Sequence, residues 1–301
     1  IIDKNNLNIQ KQMIAKAEIK KFGEAAITAL ASEFLQLENV KCFKPIDPST
    51  ITNDQKRRAL RAINLIKLKR CGKMKVRRVA DGRPQREIYK KHETSSPTCH
   101  HDSLMMSILI DAMESRAVGV GNVPGAYLKA NMKDFTIIEL TGESVDILCK
   151  MNKEYEKYIV TKNGKRVLYL QLAKALYGCV VSTLLWYELI SSTLTNMGFE
   201  IKPYDMCVAN KQINGKQCTI VWYIDDLKVL YADAAVVKDI MDKIDKRFGG
   251  LALEISDKHN YLGMNLTYNK NKTVTIEMGD YIKEVIQTFD AKSKITSSAA
   301  T

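Results

Sequence analysis

Two adjacent carboxylates between two apolar runs are the feature that most limits how this chain can fold. Asp225 and Asp226 stand between the runs Cys218–Ile224 and Leu227–Tyr231. An Asn214-Gly215 pair precedes the first run, and such a pattern predicts antiparallel hairpins. Like charges at the mouth of a buried hairpin repel each other, which costs free energy unless a cation compensates. Two interpretations stay open here: a plain turn, since Asp is a common turn residue, or a site for Mg²⁺, which prefers carboxylate oxygens.

The charge balance suits a polyanionic partner. Lys and Arg outnumber Asp and Glu by 46 to 34, for a formal net charge of +12, and a cationic surface gains affinity for nucleic acid by releasing counterions. The alternative is a solvated, soluble surface without such a partner. No apolar run approaches the roughly 20 residues of a membrane-spanning helix, and the sequence opens without a signal pattern, so we expect no membrane partner.

The cysteines indicate neither a disulfide framework nor a zinc cage. Seven cysteines are scattered without Cys-x-x-Cys spacing, which favours a reducing, intracellular setting. The cluster Cys99-His100-His101 has no further ligand group with matching spacing, and neighbouring strand residues point to opposite faces. We therefore expect no metal site at this cluster.

The order of elements predicts an α+β fold with an antiparallel sheet. Apolar stripes predict helices at Ala15–Leu37 and from Asn53 to Leu68, and hence an N-terminal helical extension over residues 1–68. An Ala80–Gly82 turn among basic and β-branched residues predicts a hairpin. Further predicted elements are, in chain order, helix Ser103–Met113, strand Ala117–Val123, a hairpin at Asn163–Lys165, helix Leu184–Met197, a meander of strands Met206–Lys211, Gln217–Tyr223 and Leu227–Tyr231 around the two carboxylates, helix Ala234–Phe248, strands Tyr261–Tyr268 and Thr273–Met278, and helix Asp280–Phe289.

Four motifs stand in a specific order along the chain. Tyr223-Ile224-Asp225-Asp226 resembles the Tyr-x-Asp-Asp box of reverse transcriptases. Lys174–Gly178, followed by Ser182 and Leu185–Glu188, is similar to a Lys-Ala-Leu-Tyr-Gly, Ser and Leu-Trp-Tyr-Glu pattern in the copia class of LTR retrotransposons. Tyr261–Met264 resembles the aromatic-Leu-Gly segment that follows the palm. The pattern is continued between these motifs by Gly198-Phe199, Asp205, Cys207 and Val208.

The resemblance implies an RNA-directed DNA polymerase and a set of site residues. The first catalytic carboxylate of the family stands five positions before an aromatic residue, and here that position is Asn122, before Tyr127. The implied roles are metal binding by Asp225 and Asp226, triphosphate binding by Lys75 and Arg77, exclusion of ribose by Tyr127 as a steric gate, lining of the nucleotide pocket by Tyr177 and Gly178, and a primer grip at Leu262, Gly263 and Met264.

Two positions depart from the family pattern. Asn122 offers one neutral oxygen, whereas phosphoryl transfer with two metal ions needs anionic ligands that hold both cations. We therefore expect little or no polymerase activity, whether the chain is a decayed copy, carries a deliberate substitution or is kept for binding alone. Val181 stands where the family usually has a polar residue. Asp111, Glu114 and Asp134 lie nearby in sequence, but none has the five-residue relation to the aromatic position that a substitute ligand would need.

The resemblance also implies an architecture and partners. A right-hand polymerase would have fingers at 69–115 and 133–181, a palm with an antiparallel sheet at 116–132 and 182–268, and the primer-grip end with the start of a thumb or connection at 269–301. Two Mg²⁺ ions would be cofactors, with Mn²⁺ as a substitute. A primed RNA or DNA template and dNTP would be partners, in a cytoplasmic virus-like particle.

Copia polyproteins also carry integrase and RNase H regions, so the resemblance implies that the chain is a fragment of a larger product, and it allows an oligomer. The alternative function is a non-catalytic nucleic-acid-binding relict, or a structural subunit of a polymerase-like assembly. Both alternatives share the basic surface but need no metal, so dependence on Mg²⁺ separates a catalyst from a binder.

Overall fold

The chain divides into two units, each built around its own β-sheet. The computed structural model describes residues 13–14, 23–68, 74–283, 285–286 and 289. The first unit holds the described residues up to Ser95 together with Tyr127–Leu185, and the second holds Ser96–Ala126 and the described residues from Trp186 onward. The predicted α+β class is confirmed.

Helices are interspersed among runs of strands along the described chain. The strands are β1 (Met13–Ile14), β2 (Phe43–Pro45), β3 (Leu60–Leu68), β4 (Met74–Ala80), β5 (Ala117–Asn122), β6 (Ile137–Thr141), β7 (Val160–Lys162), β8 (Lys165–Leu172), β9 (Glu200–Lys202), β10 (Asp205–Ile213), β11 (Lys216–Tyr223), β12 (Asp226–Tyr231), β13 (Ala252–Ile255), β14 (Lys258–Tyr261), β15 (Met264–Tyr268) and β16 (Val274–Glu277). The α-helices are α1 (Glu24–Asn39), α2 (Asn53–Arg58), α3 (His101–Glu114), α4 (Ala126–Lys129), α5 (Glu143–Met151), α6 (Ser182–Asn196) and α7 (Ala234–Phe248). Short 3₁₀ turns lie at Arg83–Glu87, Lys91–Glu93 and Lys153–Tyr158.

The first unit is built on a seven-stranded mixed sheet. Its order is β1-β3-β6-β8-β2, with β4 beside β3 and β7 beside β8. The β3–β6 pair is parallel, and the other described pairs of this sheet are antiparallel. Leu140, Leu168 and Leu170 from its strands are buried with Phe34 and Leu37 of α1. Removal of this apolar surface from water supplies the main drive for the helix to pack on the sheet.

Helix α1 also packs behind β4, the basic strand of the sheet. Side chains alternate along β4, so that Lys75 and Arg77 are exposed while Arg78 is buried. The Arg78 guanidinium lies 3.9 Å from the centroid of the Phe34 ring, and Glu33 accepts a hydrogen bond from the Arg78 amide at 2.9 Å. Burial lowers the pKa of Arg78 to about 9. A desolvated cation over an aromatic face contributes about 2 kcal/mol, which compensates part of the cost of burying this charge.

The second unit contains a six-stranded antiparallel sheet in the order β13-β5-β12-β11-β10-β9. Helix α7 packs closely against β5 on one face of it. A Cβ atom on Gly119 would lie 2.6 Å from Cγ1 of Val237, and one on Gly121 would lie 2.8 Å from Cε of Met241. The two glycines of β5 therefore let the helix approach the strand that carries Asn122.

The other face of the six-stranded sheet is covered by α3 and by a three-stranded sheet, β14-β15-β16. Leu104 and Ile108 of α3 are buried with Val118, Val221 and Leu230 of the large sheet. The small sheet adds its own apolar side chains to the same cluster. This arrangement places β12, which carries Asp226, between buried layers on both faces.

The predicted helix from Asn53 to Leu68 is wrong beyond its first turns. The Thr52 side chain accepts the Gln55 amide in a capping box, and α2 ends at Arg58. Residues Leu60–Leu68 then form β3, which pairs with β4. The predicted extension over residues 1–68 is therefore helical, within its described part, only in α1 and α2. Residues 15–22 of the first predicted helix lie outside the described residues.

Two other predicted elements differ in detail. No second strand follows the Ala80–Gly82 turn, because the chain enters the 3₁₀ turn Arg83–Glu87. The predicted strand Tyr261–Tyr268 is interrupted by a Leu262-Gly263 turn between β14 and β15. The remaining predicted elements are confirmed, with ends shifted by a few residues, including the final helix at its described positions. Along the described ranges, no helix combines the length and apolarity needed to cross a membrane.

Candidate active site

The two carboxylates lie at a tight turn between β11 and β12. Tyr223 pairs with Asp226 across the hairpin, so that Ile224 and Asp225 form a two-residue turn. Ile224 has a φ of 58°, and a β-branched side chain in the left-handed region carries strain of about 1–3 kcal/mol. The surrounding structure therefore has to enforce the conformation of Ile224, directly beside Asp225.

Hydrogen bonds to the backbone enforce this turn. The indole Nε1 of Trp186 donates to the Ile224 carbonyl at 2.7 Å, and the Val123 amide donates to the Asp225 carbonyl at 2.9 Å. The Tyr261 hydroxyl donates to the Asp226 carbonyl at 3.3 Å. Each of the three carbonyls accepts a hydrogen bond, and together these bonds fix the backbone of the turn.

The strand register brings Asn122 beside the second carboxylate. Asn122 of β5 pairs with Asp226 of β12, and its Nδ2 donates to Oδ1 of Asp226 at 3.0 Å. The side chains of Asn122, Asp225 and Asp226 are all half-buried. The structure thus brings together the residues predicted to form the carboxylate site, while their roles stay predictions.

The electrostatics of this cluster favour a cation. Burial raises the pKa of the Asp226 carboxyl, the neighbouring Asp225 charge raises it further, and the Asn122 amide partly offsets both effects. The donor set comprises two carboxylates and one amide. Among the residues that the structure describes, no group of three or more His, Cys, Asp or Glu side chains could hold a metal ion. Carboxylate oxygens are the ligands that Mg²⁺ prefers, but the set lacks the third anionic ligand that a pair of cations needs.

The neighbouring acids have partners of their own. Asp111 forms an ion pair with Lys228 in which neither side chain is exposed to solvent. Glu114 pairs with Arg116 at 2.7 Å, and Asp134 accepts a hydrogen bond from the Tyr89 hydroxyl at 2.6 Å. Each of these three acids is thus engaged with a partner away from position 122.

Three of the predicted nucleotide-binding residues contact one another in the first unit. The Arg77 guanidinium lies 5.4 Å from the centroid of the Tyr177 ring. The Tyr177 and Tyr127 rings have centroids 4.8 Å apart, with an interplanar angle of 55°. Lys75 is exposed on the same face of β4 as Arg77. The first unit therefore presents a cation and two aromatic rings as one cluster.

The backbone beside this cluster leaves no room for side chains. The Ala80 amide donates to the Tyr177 carbonyl at 2.7 Å. A Cβ atom on Gly178 would lie 2.0 Å from the Ala80 carbonyl oxygen, and one on Gly82 would lie 2.1 Å from the Gly178 carbonyl oxygen. With a φ of +90° at Gly178, only glycine suits this position. The sequence did not reveal Gln85, whose buried side chain accepts the Val180 amide at 3.0 Å.

Val181, which departs from the family pattern, is a core residue. Its side chain is buried, and the following Ser182 donates from Oγ to the Leu176 carbonyl at 2.6 Å. The polar contact that closes the Lys174–Gly178 loop thus comes from Ser182. An apolar residue at 181 is compatible with the buried environment that it occupies.

The predicted primer-grip residues form the turn of the β14–β15 hairpin. Leu262 and Gly263 have φ values of +50° and +82°, and the flanking residues Tyr261 and Met264 pair with each other. Positive φ at both central residues is typical of a type I′ hairpin turn. A cavity of about 810 Å³ in the second unit is lined mainly by residues of α3 and the large sheet and includes neither carboxylate.

Comparisons with known proteins identify the family of this chain. A family model described as reverse transcriptase (RNA-dependent DNA polymerase) matches residues 50–300, which is more than half of the chain. The Ty1-BR and Ty1-DR5 transposon Gag-Pol polyproteins of Saccharomyces cerevisiae are each 25% identical to it over 250 residues, covering 81% of this chain and 12% of their own length. The chain thus spans about an eighth of these relatives.

A solved structure of telomerase from Candida albicans with a fragment of telomeric RNA is also similar. It matches with a TM-score of 0.44 and 10% identity over 84% of this chain and 51% of the telomerase chain. The assignment does not depend on that likeness, because the family model covers the carboxylate hairpin, the Lys174–Gly178 loop and the β14–β15 turn in one continuous match. The chain therefore belongs to the reverse transcriptase (RNA-dependent DNA polymerase) family of copia-type retrotransposons.

Proposed function

We propose that this chain is a reverse transcriptase polymerase core that binds a primed template and dNTP, with catalysis impaired by Asn122. The observation that carries the proposal is the hydrogen bond from Asn122 Nδ2 to Asp226, which joins the strand of the first family motif to the Tyr-x-Asp-Asp hairpin. The proposed fingers, palm and thumb follow the segments predicted from sequence.

In the proposed reaction, the 3′-oxygen of the primer attacks the α-phosphate of the dNTP and pyrophosphate leaves. Arg77 and Lys75 would hold the triphosphate, since cationic side chains bind phosphate oxygens through charge-assisted hydrogen bonds. Tyr127 would exclude a ribose hydroxyl, and Tyr177 with Gly178 would line the pocket. The backbone at Gly178 can approach a ligand closely because no Cβ intervenes.

Divalent cations, when bound, would stabilise the charge that develops on the attacking and leaving oxygens. One Mg²⁺ or Mn²⁺ would be held by Asp225 and Asp226. The amide at 122 directs an N–H group toward Asp226, where the family has a third carboxylate, so the chain provides no anionic bridge to a second ion. Binding of template and nucleotide therefore survives in this proposal while the rate of phosphoryl transfer is low.

The proposed partners follow from the family. They are a primed RNA or DNA template, dNTP, and the further regions of a Gag-Pol polyprotein, in the intracellular particle expected for such an element. The net charge of +12 supports the first of these partners.

The discriminating experiment is the substitution Asn122→Asp, assayed by primer extension on an RNA template. Groups that only support a metal ligand change activity by about 10–100-fold, so restoring a direct ligand should raise the extension rate by about 100-fold or more. Asn152→Asp makes the same change of charge at an exposed helix-capping residue and should have no effect. A folded Asn122→Asp protein as inactive as its parent would refute the assignment of position 122 and with it the polymerase proposal.

A second function, nucleic-acid binding without catalysis, is favoured by the same hydrogen bond. In that case Asn122 stabilises Asp226 in place of a cation, and the hairpin needs no metal. Binding of a primer–template duplex would then be equal with and without Mg²⁺, and Asn122→Asp would stay inactive while it binds the duplex. A steep loss of affinity with salt is expected for both functions and does not separate them.

A further inference from the structure

The β14–β15 hairpin is attached directly to the carboxylate strand. Tyr261, at the end of β14, is 2% exposed, and its hydroxyl reaches the backbone carbonyl of Asp226 at 3.3 Å. The turn residues Leu262 and Gly263 follow it immediately. A single hydroxyl therefore connects the end of this hairpin to the residue that bears the second carboxylate.

A second tyrosine of the same hairpin reaches a buried ion pair. The Tyr268 hydroxyl donates to Oδ2 of Asp111 at 3.4 Å. The same oxygen forms an ion pair with Lys228, whose Nζ also lies 3.1 Å from Oγ of Ser107. Both charged side chains are fully buried. Two separate elements, α3 and β15, thus meet at one acid inside the second unit.

Lys228 carries this contact back to the carboxylate hairpin. It stands two residues after Asp226 on β12, so both side chains lie on the same face of the strand. The register confirms this placement, since Asp226 pairs with Asn122 and Lys228 pairs with Val120 on β5. The β14–β15 hairpin is therefore fixed to β12 at two neighbouring points, by Tyr261 at one and through Asp111 and Lys228 at the other.

Stability alone does not account for these polar contacts. A well-packed apolar pair in place of a buried ion pair is often neutral or stabilising, and the surrounding cluster is already apolar. One oxygen of the acid, Oδ1 of Asp111, is buried without a hydrogen-bond partner within the described residues, which adds to the cost. What directional bonds supply, and apolar contacts do not, is a fixed position along the strand. We call these four linked residues, Tyr261, Tyr268, Asp111 and Lys228, the hydroxyl network, because the two tyrosine hydroxyls connect the hairpin to the other members.

We propose that the hydroxyl network positions the Leu262-Gly263 turn against Asp225-Asp226, so that a primer end held by the turn meets the carboxylates at a fixed distance. This inference rests on the proposed function and names positioning residues that act through the turn, not catalytic ones. Its consequence is specific: loosening the network weakens the productive binding of primer–template and leaves the binding of dNTP unchanged.

The test removes one hydroxyl at a time, with Tyr261→Phe and Tyr268→Phe. The matched control is Tyr231→Phe, which loses a hydroxyl that donates to the Ile213 carbonyl at 2.6 Å at the other end of β12. A hydrogen bond contributes about 1 kcal/mol, so amide exchange across residues 258–268 should rise about 5-fold in the two test variants. It should stay unchanged there in the control.

The functional measurement uses the Asn122→Asp background. KM for primer–template should rise about 5-fold in both test variants, in keeping with one lost hydrogen bond, while KM for dNTP and the urea midpoint match those of the control. The double variant Lys228→Met with Asp111→Leu tests the ion pair separately. It should fold stably and show the same rise in KM for primer–template.

The outcomes separate the two proposals. If Asn122→Asp is inactive, the polymerase proposal fails, and the affinity of the parent for a fluorescent primer–template duplex replaces KM as the measurement. Weaker duplex binding in the test variants then still supports the network. The network proposal is overturned if amide exchange across the hairpin is unchanged in the test variants. It is also overturned if exchange is faster but primer–template binding is unchanged, or if the parent binds no duplex.

Discussion

Replacing Lys228 by Met should lower the free energy of unfolding more than breaking any exposed ion pair of the described residues. The substitution keeps the apolar stem of the side chain but removes the ammonium group that pairs with Asp111 and lies 3.1 Å from Ser107. Because neither charged side chain is exposed, the substitution leaves the Asp111 carboxylate buried without its counter-ion. Breaking a buried pair from one side typically costs about 3–5 kcal/mol, and we expect a loss of that size in the free energy of unfolding.

Urea denaturation followed by tryptophan fluorescence measures this loss cleanly. The sequence contains two tryptophans, and Trp186 and Trp222 both belong to the second unit, so the signal reports the unit that contains the pair. Burial already raises the pKa of Asp111, and Lys228 opposes that rise. Without the lysine, the folded-state pKa lies still higher, so the ionised acid is penalised at neutral pH. The deficit should therefore shrink as the pH falls and Asp111 takes up a proton.

The control is Lys243→Met, which breaks the exposed i,i+4 pair with Asp239 on α7, where the two side chains are 60% and 59% exposed. Such pairs contribute about 0.3–0.5 kcal/mol. The double variant with Asp111→Leu should recover most of the stability lost by Lys228→Met, because no unpaired charge remains. A loss below about 1 kcal/mol in Lys228→Met, or a double variant no better than the single one, would refute the electrostatic account.

Two further predictions concern other parts of the chain. Gly178→Ala should destabilise the first unit by about 3 kcal/mol or more in thermal or urea unfolding, because its Cβ would lie 2.0 Å from the Ala80 oxygen. The control Gly164→Ala, at a φ of +71° with nothing within 4 Å, should cost about 1 kcal/mol. Equal losses in the two variants would contradict this prediction. Burial lowers the pKa of His259, so the unfolded chain binds a proton below its ordinary pKa of about 6.5 while the folded chain does not. The free energy of unfolding should therefore fall as the pH drops from 7 to 5.5, and it should fall less in His259→Leu. Parallel curves of unfolding free energy against pH for the two proteins would rule out this effect of His259.

The site of the second unit was predictable because its signals are local. The Asn214-Gly215 turn and the two apolar runs around the carboxylates predict the β10–β11–β12 meander. Because β11 and β12 are buried on both faces, their register is set by the two tight turns and not by one apolar face. The position of Asn122 could not be derived from periodicity alone, and it came from its spacing to Tyr127 in the family resemblance. The register of β5 against β12 agrees with that spacing.

The sequence could not show which charged side chains are buried. Arg78 stands in a run of basic residues that are otherwise exposed, and charged side chains are seldom buried; the Phe34 ring that covers it comes from a distant helix. Asp111 and Lys228 are likewise far apart in the chain. The strand Leu60–Leu68 was mistaken for helix because its apolar residues fit both periods, and short apolar runs are ambiguous in this way. Pairing with β4, a tertiary effect, decides its conformation.

The contact between Phe34 and Arg78 has a practical consequence for anyone who produces part of this protein. The family match begins at residue 50, and a polypeptide trimmed to that boundary would lack α1 altogether. The face of β4 that packs against α1 would then be exposed to solvent, and the guanidinium of Arg78 would be hydrated instead of stacked on the Phe34 ring. Lys75 and Arg77, the proposed triphosphate-binding residues, project from the opposite side of the same strand. A shortened version would therefore present them on a strand that has lost the helix packed behind it.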